Sequence, residues 1–176
     1  LLVEHTHFND PEKREHIRRL LIRAAQQKTI PIVNYNDPVS DEENRKMELA
    51  IRRSHGDQVV ECVDNDETAA VIANLVHAKK LVLMTSTEGI YRDPADPKTL
   101  VEQVTAKSME ELEEKVRQLQ ESCVGASRAG ANGAKAKLEY ALKSARQGTM
   151  VIIGHARHRL SDLVEGRVAC TRIGLE

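Results

Sequence analysis

The sequence predicts an α/β fold, a three-layer αβα sandwich with a largely parallel central sheet. Segments of strand and helix character alternate along the chain without an internal repeat, which favours βαβ units with right-handed crossovers. The runs Leu81–Met84 and Met150–Ile153 are apolar at every position, as in strands that helices cover on both faces. A length of 176 residues, of which 40% are hydrophobic, suits one globular domain, 1–176.

The first predicted elements are a strand at 1–3 and a helix that Asp10 caps and Pro11 opens. Behind that cap, apolar residues recur at helical spacing: Ile17, Leu20, Leu21 and Ala24. The apolar run 30–33 predicts a second strand, and the polar segment 34–38 predicts a loop at its carboxyl end.

The middle of the chain predicts one uncertain segment, then a strand, a helix and a strand. Residues 41–53 are equally consistent with a surface helix or a mobile loop. The β-branched run 58–63 predicts a strand. The acidic segment 64–67 is typical of a cap, and it opens a buried helix over 68–77. We expect 81–84 to be a central strand of the sheet.

Two helices and a strand are predicted around Met150–Ile153. A capping box at Ser108 begins an exposed, highly charged helix that reaches about 120. The next helix begins near 133 and stops at Gly148. We expect the last strand, 168–173, to lie at an edge of the sheet.

Composition excludes several classes of protein. The 26 basic and 27 acidic residues give a net charge of −1, which argues against a nucleic-acid-binding or polybasic membrane-surface protein. With one Phe, three Tyr and no Trp, the core must be aliphatic and stacking on bases is disfavoured. No run approaches the roughly 18 apolar residues of a membrane span. Three dispersed cysteines indicate no disulfide framework or zinc ribbon, so we expect a cytoplasmic protein.

Ligands of open α/β sheets bind outside the carboxyl ends of the strands. That rule selects four loops, at 34–39, 64–67, 85–89 and 154–159, and predicts that they converge. We therefore expect the binding site to be built from these loops and from the helices that follow them.

Two polar clusters in these loops suit an amino-acid ligand. Asn34, Asn36 and Asp37 form one, and Asn65 and Asp66 belong to the other. An amide can donate to a carboxylate and accept from an ammonium group, while an aspartate can bind an ammonium group or orient a lysine. Asn and Asp are also favoured in turns and helix caps for purely local reasons, and that interpretation stays open.

A segment of small residues, 125–133, enters the helix that carries Lys135 and Lys137. Such a segment lets backbone N–H groups and the helix dipole approach phosphate oxygens closely, and a nearby lysine adds positive charge. The spacing differs from that of a P-loop, and a flexible connection with solvated lysines is the alternative.

The histidine pairs and the cysteines give weaker indications of a functional site. The pairs His5 with His7 and His155 with His158 lack a Cys or carboxylate set beside them, so we expect no metal site made of protein ligands alone. Cys62 is expected to be a small buried hydrophobic residue of a strand, as is Cys170.

Taken in order, these segments resemble the amino-acid kinases, and within them the glutamate 5-kinases, over nearly the whole chain. Residues 30–39 resemble the motif P-I-(I/V)-N-E-N-D-x-V, and residues 64–70 resemble D-N-D-x-L-(S/A)-A. Residues 81–91 with Asp96 and Pro97 resemble L-x-L-L-(T/S)-D-x-x-G-L-Y and A-D-P, which uridylate kinases share. Residues 130–138 resemble G-T-G-G-M-x-T-K-L.

The resemblance implies a role for each matching residue. Asp37 and Asn65, with Asn34 and Asn36, would contact glutamate, and Asp66 would hold the catalytic lysines in position. Lys137 would stabilise the transferring phosphoryl. The nucleotide would lie against Thr85 and Ser86 and against a second group, which consists of Ala131, Asn132, Gly133, Ala134, Lys135, Ala136 and Lys137. The implied reaction is phosphorylation of the γ-carboxylate of L-glutamate by ATP, the first step of proline biosynthesis, with Mg²⁺ held mainly by the ATP phosphates.

The sequence also differs from the family motifs. Ser86 stands where the family has Asp, Tyr35 stands where it has Glu, and the segment after Gly130 lacks one glycine. The family's amino-terminal portion, which carries an ATP-phosphate lysine, would precede Leu1, so we expect this chain to be the carboxy-terminal two-thirds of the kinase domain. A homodimer or tetramer and feedback inhibition by proline are further expectations from the resemblance.

Two alternatives stay open. One is a non-catalytic or regulatory amino-acid-binding module of the same fold. The other is a uridylate kinase of the same superfamily, which the cluster at 64–66 disfavours because it suits an amino acid better than a base.

Overall fold

The computed structural model describes residues 1–35, 65–93, 95–122 and 133–176. These residues form two compact units, Leu1–Val76 and His77–Glu176. The predicted strand at 58–63 and the uncertain segment 41–53 lie outside the described residues. Within the described ranges, no helix is both long enough and apolar enough to cross a membrane.

The described part of the first unit contains a short parallel ladder and three helices. In chain order its elements are β1 (Leu2–Val3), α1 (His5–Asn9), α2 (Pro11–Gln26), β2 (Asn34–Tyr35) and α3 (Asn65–Leu75). Strands β1 and β2 are parallel, with Leu2 opposite Asn34 and Val3 opposite Tyr35. The core of this unit is the cluster of buried side chains Val3, Phe8, Ile17, Leu21 and Tyr35.

The predicted cap of α2 is confirmed. The Asp10 carboxylate accepts hydrogen bonds from the N–H groups of Glu12 and Lys13, at 2.9 and 3.1 Å, and Pro11 is the first residue of the helix. These bonds satisfy two backbone donors that have no partner within the helix.

Two expectations for the first unit are wrong. The run 30–33 is not a strand, and Ile30 and Ile32 are 90% and 81% exposed. Pairing begins at Asn34, and Pro31 within the run has no N–H group to donate to a ladder. Helix α3 begins at Asn65 rather than Thr68, so the acidic side chains lie inside its first turn, where the helix dipole favours them.

In the second unit, the residues that the structure describes form a four-stranded sheet, a separate strand pair and three helices. Its elements in chain order are β3 (Lys80–Thr85), β4 (Ile90–Tyr91), a 3₁₀ turn (Pro97–Thr99), β5 (Leu100–Val101), β6 (Gln103–Ala106), α4 (Met109–Ser122), α5 (Ala134–Ala145), β7 (Met150–His155), α6 (Leu160–Glu165) and β8 (Cys170–Leu175). The sheet order is β3-β7-β8-β6, and β4 and β5 form a separate antiparallel pair.

The sheet is mostly parallel, as predicted. Strand β3 is parallel to β7 and β6 is parallel to β8, while β7 and β8 are antiparallel. Strand β8 lies between β7 and β6, so its expected edge position is wrong. Within the described residues β3 lies at one end of the sheet, not at its centre. Its side chains alternate between buried and less buried, which is typical of a strand with one covered face.

Both predicted helix boundaries in this unit are confirmed. The Ser108 hydroxyl accepts a hydrogen bond from the Glu111 N–H at the start of α4, at 3.2 Å. Gly148 follows α5 with a φ of 80°, a conformation that glycine adopts without steric cost. Helix α4 is exposed on one face only, because it buries Leu112, Val116 and Leu119.

Candidate functional site

The first unit brings two of the polar segments together. Asn65, the first residue of α3, accepts a hydrogen bond at its side-chain oxygen from the N–H of Tyr35, at 3.4 Å. Tyr35 is the last residue of β2, so the contact lies at the carboxyl end of that strand. The Asn34 amide nitrogen donates to the Tyr35 carbonyl at 3.0 Å, which fixes the orientation of the Asn34 side chain.

The first turn of α3 carries two carboxylates. Asp66 is partly buried, and Glu67, which the sequence did not single out, is 4% exposed. Their position in the first turn lets the partial positive charge of the helix N-terminus stabilise negative charge. Asn36 and Asp37 lie outside the described residues, and the role of Asp66 toward lysines stays a prediction.

The second unit places the loops after β3 and β7 side by side. Thr85 lies opposite His155 in the register of the two parallel strands. The Thr85 carbonyl accepts a hydrogen bond from the N–H of Ala156 at 2.8 Å. Ser86 is exposed. The convergence of the loops 85–89 and 154–159 is thus confirmed. In the first unit, the contact between Tyr35 and Asn65 joins the described ends of the other two loops. The convergence of all four stays a prediction.

A charged cluster joins the same two loops, and the sequence analysis missed it. The Glu88 carboxylate is hydrogen-bonded to the Arg157 guanidinium and, at 2.6 Å, to Nε2 of His158. The rings of His155 and His158 meet edge to face, with centroids 6.2 Å apart. The sequence does hold one signal for this ion pair. The strands β3 and β7 were both predicted to be parallel, and Glu88 follows β3 while the basic segment 155–159 follows β7.

Glycine at position 89 allows a close approach between this loop and β8. A Cβ atom there would lie 2.3 Å from the Thr171 hydroxyl oxygen. That buried hydroxyl accepts a hydrogen bond from the Ile90 N–H at 2.8 Å and donates to the Val101 carbonyl at 2.7 Å. Gly89 and Thr171 therefore hold the β4–β5 pair against the sheet.

The start of α5 carries the described part of the predicted phosphate segment. Gly133 caps the helix through its carbonyl, which accepts from the N–H groups of Ala136 and Lys137 at 3.1 and 3.3 Å. The N–H groups of Ala134 and Lys135 belong to the first turn, where a helix favours an anion. Lys135 is exposed and Lys137 is partly buried. Ala131 and Asn132 lie outside the described residues.

Helix α4 fixes the start of α5. The Gln120 side-chain nitrogen donates to the Lys135 carbonyl at 3.1 Å. Among the residues that the structure describes, no group of three or more His, Cys, Asp or Glu side chains is arranged to hold a metal ion.

Comparison with known proteins identifies a family. Residues 1–155 match the family described as the amino acid kinase family. The chain is 30% identical over 178 residues to a glutamate 5-kinase of Geobacillus kaustophilus (strain HTA426), covering 99% of this chain and 42% of that protein. It is 32% identical over 149 residues to a glutamate 5-kinase of Gloeobacter violaceus, covering 84% of this chain and 35% of that protein. The chain spans less than half the length of these relatives.

Solved structures share the fold. A carbamate kinase from Giardia lamblia bound to AMP-PNP aligns with a TM-score of 0.50 and 18% identity, over 68% of this chain and 34% of that one. A protein from Aeropyrum pernix K1 aligns with a TM-score of 0.52 and 17% identity, over 90% of this chain and 45% of that one. These likenesses confirm the predicted α/β fold.

Proposed function

Because this chain belongs to the amino acid kinase family, we propose that it is part of an ATP-dependent phosphotransferase of the glutamate 5-kinase type. The reaction is transfer of the γ-phosphoryl group of ATP to the γ-carboxylate of L-glutamate, giving glutamyl 5-phosphate and ADP. Similarity to glutamate 5-kinases over 99% of the chain supports this choice of acceptor.

One observation carries the proposal. The hydrogen bond from the Tyr35 N–H to the Asn65 side chain joins the two segments whose residue types suit an amino acid. The Asn65 amide nitrogen can donate to a carboxylate of the ligand while its oxygen is held by Tyr35. Asn34, whose side chain bonds to the same residue, lies beside this contact. In the proposal, Asn36 and Asp37 complete the glutamate site.

The second unit supplies the nucleotide side of the proposal. The loop beginning at Thr85 and Ser86 and the first turn of α5 are assigned to ATP. Backbone N–H groups of Ala134 and Lys135 suit phosphate oxygens, and the helix dipole adds to their attraction. The related fold of a carbamate kinase bound to AMP-PNP, an ATP analogue, is in keeping with this assignment.

The chemistry requires alignment more than proton transfer. A γ-carboxylate with a reference pKa of about 4.3 is already ionised at neutral pH, so no general base is needed. The protein must instead bring two anions together and neutralise the charge that develops between the β- and γ-phosphates. Lys137 is assigned to that charge. Mg²⁺, bound mainly by the ATP phosphates, supplies further positive charge.

The test is an assay of the full-length protein with ATP and a panel of acceptors. Glutamyl phosphate is an acyl phosphate, which hydroxylamine converts into a coloured hydroxamate. We expect glutamate-dependent ADP release together with hydroxamate formation. Phosphorylation of UMP instead would favour the uridylate kinase alternative. Binding of glutamate without ATP binding or turnover would favour the binding module.

A further inference from the structure

The Glu88 carboxylate uses both of its oxygens. Oε1 accepts from the Arg157 guanidinium and Oε2 lies 2.6 Å from Nε2 of His158. The side chains of Glu88 and His158 are only 17% and 20% exposed. Arg157 is 64% exposed, so the bond from Glu88 to His158 is the better shielded of the two and the stronger constraint.

These contacts belong to a loop that is fixed on both sides of its exposed residues. Thr85, before them, accepts from the Ala156 N–H. Gly89, after them, packs against the Thr171 hydroxyl. Glu88 adds the side-chain contact to the loop after β7. Ser86 and Thr87 lie exposed between these anchors, so the backbone at Ser86 is held by interactions that do not involve its own side chain.

The loop after β7 is basic, and Glu88 places a negative charge beside it. Residues 155–159 read His-Ala-Arg-His-Arg and contain no acid. The Arg157 N–H donates to Nδ1 of His155 at 3.1 Å, so one histidine orders the backbone while the other contacts Glu88. Removal of the Glu88 charge leaves Arg157 and His158 without this shared partner.

We propose that Glu88 is a positioning residue for nucleotide binding. Acting through Arg157 and His158, it holds the Ser86–Thr87 backbone in the conformation that contacts ATP. The inference rests on the proposed nucleotide site, but it does not depend on which acceptor is phosphorylated. Neither the residue pattern nor the family resemblance assigned a role to Glu88.

The test compares Glu88→Gln with a matched control in the full-length protein. Glu113 also joins two elements by an ion pair with arginine, since it contacts Arg146 at the opposite end of α5 from Gly133. Dissociation constants for AMP-PNP and for glutamate are measured by calorimetry. We expect Glu88→Gln to weaken AMP-PNP binding about tenfold. Glutamate binding should be unchanged, and Glu113→Gln should change neither.

A double variant separates positioning from direct contact. If Glu88 acts through His158, then His158→Gln alone weakens AMP-PNP binding, and adding Glu88→Gln gives less than the product of the two effects. A fully multiplicative effect would overturn the proposal, because it would mean that the two residues act separately. A merely structural role would lower thermal stability and weaken both ligands together, which would overturn it as well.

The remaining outcomes are also decisive. Unchanged AMP-PNP affinity in Glu88→Gln refutes the inference, whatever the enzyme phosphorylates. A wild-type protein that does not bind AMP-PNP refutes both the inference and the nucleotide half of the proposed function. Selective loss of AMP-PNP affinity in a protein that does not phosphorylate glutamate would refute the proposed acceptor and support the role of Glu88.

Discussion

The two units hold their predicted ligand loops in different ways. In the first unit, β2 has two residues, and its end meets Asn65 through a hydrogen bond of 3.4 Å. In the second unit, β3 and β7 have six residues each. Their loops meet through a backbone bond of 2.8 Å and the carboxylate of Glu88. The second unit thus builds its loops on a longer ladder.

That difference predicts how substitutions will act. Where a loop extends from a long ladder and a buried core, a core substitution costs much folding free energy. Where a side chain such as Asn65 is exposed and closes a two-residue ladder, its loss should affect ligand binding more than stability.

Lys137→Ala should have the largest effect, because it should lower kcat without changing the affinity for glutamate. We expect kcat to fall about a thousandfold, because the proposed site then loses the positive charge assigned to the transferring phosphoryl. Glutamate affinity should not change. Lys143→Ala is the control, since Lys143 lies on the last turn of the same helix, 3.2 Å from Glu139. Equal kcat values in the two variants, measured by steady-state kinetics, would contradict the role of Lys137.

Core truncations should cost more in the second unit than in the first. Ile152 is fully buried in β7 against Leu163 and Cys170, so Ile152→Ala should lower the free energy of unfolding by about 3 kcal/mol. Val3 is fully buried in the short ladder, and Val3→Ala should cost about 2 kcal/mol. Urea denaturation measures both. A larger loss for Val3→Ala would reverse the proposed contrast.

Gly89→Ala should loosen the β3 loop by steric conflict. The added methyl would approach the Thr171 hydroxyl and backbone nitrogen to 2.3 and 2.9 Å, and we expect a cost of about 2 kcal/mol in unfolding free energy. Gly148→Ala is a useful comparison, because nothing lies near its Cβ position and only its φ of 80° opposes the substitution. That variant should cost about 1 kcal/mol. A harmless Gly89→Ala would mean that the loop is not held by this contact.

The smallest effect is a pH dependence in the first unit. Hydrogen bonds from Arg18, and then Arg19, lower the pKa of Glu15 from 4.5 to about 2. Because the folded pKa is depressed, the stabilisation is present above pH 4.5 and is lost as the pH falls toward 2. Thermal melts should show a smaller loss over that range in Glu15→Gln than in wild type. High salt should reduce the difference, since the groups are exposed. Identical curves would contradict the assignment.

Sequence reasoning worked where a local pattern carried the information. Asp10 before Pro11 predicted the cap of α2, and the continuous apolar run of β7 predicted a buried strand. It failed at Asn34 and Tyr35, because a two-residue ladder has no periodicity and asparagine favours loops. It also misplaced β8, since strand order in a sheet depends on contacts between distant residues.

The candidate site also has parts that the sequence predicted and parts that it did not. The segments around Asn65 and Gly133 were found because their residue types suit particular ligand groups. The contact between Glu88 and His158 joins residues 70 positions apart, and the spacing of His155 and His158 does not reveal a carboxylate partner. The strand ends predicted that the two loops converge, but the pairing of these two side chains depends on the register of β3 with β7.

In the proposed function, the first unit binds the amino acid and the second unit binds the nucleotide. Steady-state kinetics of Asn65→Ala and Glu88→Gln, with glutamate and ATP varied in turn, tests it most directly. We predict that Asn65→Ala raises KM for glutamate only and Glu88→Gln raises KM for ATP only, each by about tenfold. Asn74→Ala, at the other end of α3, is the control. If both variants raise the same KM, or both raise the two KM values equally, the account is contradicted.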